Sequence, residues 1–330
     1  MTDLEGMGRA KVPIHKSRKY VYLNGYGNAD LLFCHNNSKA NLVRAIHERI
    51  FRVKGAEGLV PPPQPEKGVF RHVTACVKQY MGDDYVPLTD KEFLCQVPAQ
   101  KRRIYTAAVE RYWRRGLTAA QCGVSAFVKF EKQVVSESKS DPAPRVIQTR
   151  SPVYHYRLGR YTRKIEHDIY KAISRLWGGP TVMKGITPDQ VATNIVQAWG
   201  EFSSPRALSM DASRFDQHVS RDALKWEHDV YLHCFQGDPE LRWLLKQQLN
   251  NVGYGDYPGG QIRYTTNGCR MSGDMNTGLG NCLIMCCLMK QFCDDLGVKA
   301  RLINNGDDCV LIVEAECVPL VVAEYERWFL

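Results

Sequence analysis

Two short apolar runs, Ala300-Arg301-Leu302-Ile303 and Cys309-Val310-Leu311-Ile312-Val313, flank Asn304-Asn305-Gly306-Asp307-Asp308. Apolar, partly β-branched runs on either side of a cluster of turn formers predict a β-hairpin. Its tip carries two adjacent carboxylates, Asp307 and Asp308. Crowded carboxylates raise each other's pKa unless a cation compensates, and two-metal phosphoryl transfer supplies such a cation. The triplet alone proves little, because Gly82-Asp83-Asp84 repeats it ahead of Tyr85-Val86-Pro87, with no flanking strands. The second copy counts for its hairpin and for its partners elsewhere in the chain.

The first partner is a strand. Over residues 206–211, Leu208 and Met210 point one way while Ala207, Ser209 and Asp211 point the other. A strand ending in an outward aspartate holds a ligand rigidly. Asp211 is a candidate metal ligand. Asp216, five residues on and past a turn, is placed to accept a hydrogen bond from a sugar hydroxyl.

The second partner is Ser272-Gly273-Asp274-Met275-Asn276-Thr277-Gly278-Leu279-Gly280-Asn281. It reads as a glycine-bearing loop running into an apolar helix. Thr277 and Asn281, four apart, share one helical face. They can present a hydroxyl and an amide to a ribose, whose 2′-hydroxyl separates RNA from DNA precursors. Glycine is costly inside a helix, so Gly278 and Gly280 suggest close backbone approach to a ligand.

The net charge is +9, and it is concentrated. Residues 99–175 hold 17 Lys/Arg against 6 Asp/Glu; the rest of the chain holds 27 against 29. That is the footprint of a polyanion channel. Within it, Lys129-Phe130-Glu131-Lys132 and Pro144-Arg145-Val146-Ile147-Gln148-Thr149-Arg150 alternate cations with apolar residues. Lys129 and Lys132 suit phosphates as point charges; Arg145 and Arg150 suit them as bidentate grips.

Two helix starts are signed by Ser151-Pro152 and Thr187-Pro188. After the first, Tyr154, Leu158, Tyr161, Ile165, Ile169 and Ile173 recur at helical spacing, with Arg157, Arg160, Arg163 and Lys164 on the other face. After the second come Val191, Ile195 and Trp199, with Gly200 as the stop. Val60-Pro61-Pro62-Pro63-Gln64-Pro65 reads as a stiff linker or surface loop. Twelve cysteines include no Cys-x-x-Cys pair, and Cys282, Cys286, Cys287 and Cys293 read as core thiols in a reducing compartment. No signal peptide and no apolar stretch of membrane-spanning length is visible.

Taken together, these residues resemble the viral RNA-dependent RNA polymerases of positive-strand RNA viruses. Asp-x4-Asp, then Ser-Gly-x3-Thr-x3-Asn, then Gly-Asp-Asp match that family's motifs in order, with 57 residues from Asp216 to Gly273 and 34 from Gly273 to Asp307. The runs 269–277 and 304–309, and 144–148 followed by Leu158-Gly159-Arg160-Tyr161, are similar to the plant-infecting tombusvirus and carmovirus group. The resemblance implies an α+β right-hand fold with fingers and an antiparallel palm sheet. It implies that Asp211 and Asp307, assisted by Asp308, bind Mg2+, with Mn2+ as an alternative. It implies that Asp216, Ser272, Thr277 and Asn281 read the nucleotide ribose, that Gly273 belongs to the same nucleotide-binding site, and that Lys129 and Arg145 contact the triphosphate.

The implied domains are an N-terminal extension over 1–65, fingers over 66–200 and palm over 201–330, with a fingers-like insertion at about 230–265. Only 22 residues follow Asp308, so the thumb is expected to be missing and the chain to be a fragment. Expected partners are a single-stranded RNA template, nascent RNA, ribonucleoside triphosphates, other replicase subunits and host factors. The expected location is the host cytoplasm, at membrane-bound replication complexes reached through another segment or partner. The alternatives are a non-catalytic RNA-binding fragment of a replicase and a reverse transcriptase; Gly306 in place of an aromatic, and the Ser272-Gly273, Thr277 and Asn281 set, argue against the latter.

Overall fold

The computed structural model describes residues 5–7, 32–56, 58–73, 76–134, 142–212 and 214–329. Much of the expected N-terminal extension, Ser213 and the side chain of Asp211 lie outside the described part. The chain is mixed helix and sheet. The first strands, β1 (Glu5–Met7), β2 (Leu32–Cys34), β3 (Val53–Gly55) and β4 (Gly58–Val60), surround helix α1 (Lys39–Ile46) in sequence. The proline run after β4 has no regular secondary structure and is largely exposed. Helices α2 (Asp90–Gln96) and α3 (Ala99–Arg115) lead into β5 (Val124–Val128), β6 (Lys132–Val134) and β7 (Val146–Thr149).

Helix α4 (Pro152–Leu176) runs through the main core. Ser151 caps it by accepting from the Tyr154 amide, with proline in the first turn. Its predicted stripe is buried throughout, from Tyr154 to Ile173, at 2% exposure or less. Each such side chain contributes about 1.5–3 kcal/mol by burial. The opposite face departs from expectation. Arg157 is buried, paired with Glu240 and laid over the Tyr112 ring. A charged residue on a long helix finds a partner 83 positions away that periodicity cannot show.

Helix α5 (Pro188–Trp199) has the predicted Thr187 cap and ends at Gly200. Its apolar stripe is only partly covered: Ile195 and Trp199 remain 39% and 41% exposed, while Ala198 is buried. Beyond it lie β8 (Pro205–Asp211), α6 (Phe215–His218), α7 (Arg221–Cys234) and α8 (Pro239–Lys246). Then follow β9 (Asn250–Tyr257), β10 (Gly260–Asn267), α9 (Thr277–Asp295), β11 (Ala300–Asn305), β12 (Asp308–Glu314) and α10 (Val318–Phe329).

Two sheets position the site. One has five strands in the order β1-β10-β9-β5-β7, antiparallel except for the β5–β9 pair. The hairpin β9–β10 therefore inserts, from downstream, into a sheet begun by upstream strands. The other is the antiparallel trio β11-β12-β8. Its buried side, including Leu302, Leu311 and Val313, packs into the core shared by α4 and α9. Cys282, Cys286, Cys287 and Cys293 lie in that core, where burial raises all four thiols, Cys282 to about 11 and Cys293 to about 12. No described helix is long and apolar enough to cross a membrane.

Candidate active site

The trio β11-β12-β8 ends in carboxylates. In register, Asp308 on β12 stands opposite Asp211 on β8. The turn between β11 and β12 has two residues, Gly306 and Asp307. Gly306 adopts φ 92°, a conformation that L side chains rarely accept and that this kind of hairpin requires. Asn304 locks the turn: its side chain accepts from the Gly306 amide at 3.1 Å and donates to the Gly306 carbonyl at 2.8 Å. Asn304 is itself 1% exposed and bonded by its backbone to Thr181 and Met183. The tip is therefore rigid. Asp307 is half-buried, Asp308 is exposed, and neither carboxylate accepts a hydrogen bond among the described residues.

The second element is the loop that enters α9. Its alignment is set by β7: the Gly273 amide donates to the Gln148 carbonyl at 2.8 Å. A Cβ at Gly273 would lie 2.6 Å from that carbonyl oxygen, so glycine is required for the approach. The Ser272 hydroxyl is also committed there, accepting from the Gln148 amide and donating to the Val146 carbonyl. Ser272 and Gly273 thus pin the loop to β7. Thr277 donates to the Met271 carbonyl at 2.8 Å.

Asn281, one turn further along α9, meets Asp216. Its Nδ2 donates to Asp216 Oδ1 at 3.0 Å. Burial raises the Asp216 pKa; the Asn281 hydrogen bond opposes this, and the charge of Asp307 adds to it. That coupling joins the Asp216–Asn281 pair to the hairpin tip.

Behind the pair lies a buried polar network. Arg270 Nε donates to Asn281 Oδ1 at 3.2 Å, and its Nη atoms pair with Glu227. Glu227 also accepts from Asn276 and from Tyr231. Asn276 exchanges hydrogen bonds with Gln248, which donates to Asp274. Asp274 closes the network on Arg150 at 2.8 Å. A Cβ at Gly280 would fall on both the Glu227 carboxylate and the Arg270 guanidinium. The close approach expected at Gly280 is real, but its object is an internal ion pair. Gly278 has more room, with Lys184 Nζ 3.8 Å from where its Cβ would be.

The basic residues divide. Arg145 is exposed and Lys129 half-buried, and they share Glu131, at 3.3 and 2.9 Å. Lys132 is exposed on β6. Arg150 departs from the expected phosphate contact. It is 5% exposed and donates to Asp274, the Cys122 and Gln247 carbonyls, and Asn251. All three of its guanidinium nitrogens bond within the protein, so it braces β7 against the 271–276 loop. Burial tends to raise the Asp274 pKa, but the charge and hydrogen bond of Arg150 hold it below the ordinary carboxylate range, with His155 3.9 Å away.

Sequence reasoning missed Lys184. Its ammonium sits against the turn, 3.4 Å from where a Cβ of Gly306 would be, on a segment whose Val182 bridges Asn304. Lys-Gly in a loop carries no local signal. It also missed Glu227, whose pairing with Arg270 spans 43 positions.

A family described as viral RNA-dependent RNA polymerase matches residues 7–330. The RNA-directed RNA polymerase of Carnation mottle virus is 45% identical over 310 residues, covering 93% of this chain and 40% of that protein. That of Tobacco necrosis virus (strain A) is 42% identical over 316 residues, covering 95% and 44%. That of Turnip crinkle virus is 40% identical over 316 residues, covering 95% and 40%. The chain thus spans less than half the length of these relatives. Matched by that family over residues 7–330 and 40–45% identical to these relatives, the chain belongs to the viral RNA-dependent RNA polymerases.

Proposed function

We propose that this chain is the fingers and palm of a right-hand, RNA-directed RNA polymerase that adds ribonucleoside triphosphates to a growing RNA strand and releases pyrophosphate. The observation that carries the reading is the register of β8 with β12. It sets Asp211 opposite Asp308, next to Asp307, whose charge acts on Asp216 of the Asp216–Asn281 pair.

The carboxylates fit a hard divalent cation. Asp307 and Asp308 offer oxygen ligands with no competing hydrogen bonds among the described residues, on a turn braced by Asn304. Magnesium, or manganese in its place, would supply Lewis-acid charge to the reacting phosphate when bound at these carboxylates. The chain's own groups do the remainder. Asp216 keeps Oδ2 for a sugar hydroxyl while Asn281 holds Oδ1. Thr277 keeps hydroxyl lone pairs that can accept a second contact. Lys129, Arg145 and Lys132 neutralise the triphosphate. Lys184 faces the tip, where a nascent-strand phosphate would lie. Much of the rate gain then comes from positioning and charge neutralisation.

Helix α3 supports RNA binding in the same protein. Lys101, Arg102, Arg103, Arg111, Arg114 and Arg115 are all exposed on it. Affinity for single-stranded RNA should fall steeply as salt rises, by counterion release. The test of the proposal is RNA synthesis by the polymerase carrying these residues. Asp307→Ala abolishes nucleotide incorporation and leaves RNA affinity nearly unchanged. Unaltered incorporation would refute the catalytic assignment and leave the RNA-binding reading standing.

A further inference from the structure

We infer that Arg270, held by Glu227, is a positioning residue that sets the ribose specificity of the site; this rests on the proposed reading of Asp216 and Asn281 as the ribose contacts. An asparagine amide offers an oxygen at one end and an N–H2 at the other, and rotation of half a turn exchanges them. Asn281 meets a carboxylate on one side and Arg270 on the other. A guanidinium has donors only, so the end of Asn281 toward Arg270 must be its oxygen. The amide nitrogen must then face Asp216. In the reversed orientation the Asn281 oxygen would confront the Asp216 carboxylate, and its N–H2 would confront the guanidinium.

Arg270 can impose this because it is itself immobile. It is 2% exposed, and both Nη atoms are engaged by Glu227, which is 0% exposed. Glu227 is fixed in turn by Asn276 and Tyr231. Gly280 leaves the space in which the pair lies against the α9 backbone, one residue before Asn281. The consequence falls on Asp216: one oxygen is always occupied and the other is always presented in one direction. The site is thereby preset to accept from a vicinal diol and gains little from a sugar lacking the 2′-hydroxyl. Neither Arg270 nor Glu227 touches the substrate in this scheme.

The experiment compares kcat/KM for a ribonucleotide and its 2′-deoxy analogue in the polymerase carrying these residues. Arg270→Lys keeps a cation for Glu227 but loses the Nε that faces Asn281. We expect the ribo-to-deoxy ratio to fall about tenfold, the worth of one charge-assisted hydrogen bond. The loss should sit in KM for the ribonucleotide, with deoxynucleotide incorporation close to unchanged. The paired change Arg270→Met with Glu227→Gln leaves no lone buried charge and should lower the ratio at least as far. A merely structural role lowers both nucleotides by one factor and leaves the ratio intact; that result, in either variant, overturns the proposal. Asn281→Ala separates the two claims. If it lowers the ratio and the Arg270 variants do not, the positioning role fails and the ribose reading stands. If it too leaves the ratio unchanged, both fail.

Discussion

The chain contains Gly-Asp-Asp twice, and the two copies differ in everything but their letters. Gly82-Asp83-Asp84 lies in an exposed loop between a short 3-10 turn and α2. Gly306 and Asp307 form the two-residue turn of a hairpin and Asp308 opens β12, with Gly306 buried and Asn304 bonded across the turn. The first glycine has no left-handed φ; the second has φ 92°. The first pair of aspartates faces solvent. The second stands beside Asp211, with Lys184 against the turn and Asp216 within electrostatic reach. A motif becomes a site when the fold fixes its backbone and brings complementary groups to it from distant segments.

The largest contrast should be in activity. Asp307→Ala should reduce nucleotide incorporation on the order of 10³-fold or more, the scale of losing several kcal/mol of transition-state stabilisation. Asp84→Ala should leave incorporation at the unsubstituted level. Equal effects at the two positions would break the comparison.

A second contrast lies beneath the copies. The second one is backed by the buried network, where His228 Nε2 donates to Gln248 Oε1 near Glu227, Arg270 and Asp274. Burial lowers the His228 pKa to about 4. Its folded pKa is below its unfolded value, so the unfolded chain binds the proton more tightly. The stability that neutral His228 allows is complete above about pH 6.5 and is lost as pH falls toward 4. Denaturant unfolding should show a loss of about 2 kcal/mol between pH 7 and pH 5 from this group, and His228→Gln should flatten that slope. An unchanged slope would mean that the network behind the site is open to water.

The smallest contrast is between the glycines. Gly306→Ala forces an L side chain into a left-handed turn and should cost about 1–2 kcal/mol in unfolding experiments. Gly82→Ala meets the movable Asp84 carboxylate, at 3.2 Å, and the Tyr85 ring at an ordinary 3.7 Å, and should stay within about 0.5 kcal/mol. Similar costs would show that the second turn is no more constrained than the first.

Local signals made much of this visible in the sequence. Alternation at 206–211, two apolar runs around a turn, and Ser/Thr-Pro caps are short-range patterns, and β8, β11, β12, α4 and α5 follow them. The order of Asp216, Asn281 and Asp307 was equally legible. What was not legible depends on partners far along the chain. Arg150 and Arg145 look alike in sequence, five residues apart on the same segment. Only the fold shows that one is closed on Asp274, 124 positions away, while the other stays at the surface. Arg157 is hidden by Glu240 for the same reason. Gly280 advertised a close approach without naming its object, the Arg270–Glu227 pair. Lys184 advertised nothing.

The central claim is that the ends of β8 and the β11–β12 turn together form one divalent-cation site. Fe2+ in place of the native cation, with ascorbate and peroxide, cleaves backbone near where it binds. The account predicts cuts confined to residues around Asp211 and around 306–308, suppressed by excess Mg2+ and abolished by Asp308→Asn. Cuts at 82–84, or none at either strand end, would contradict it.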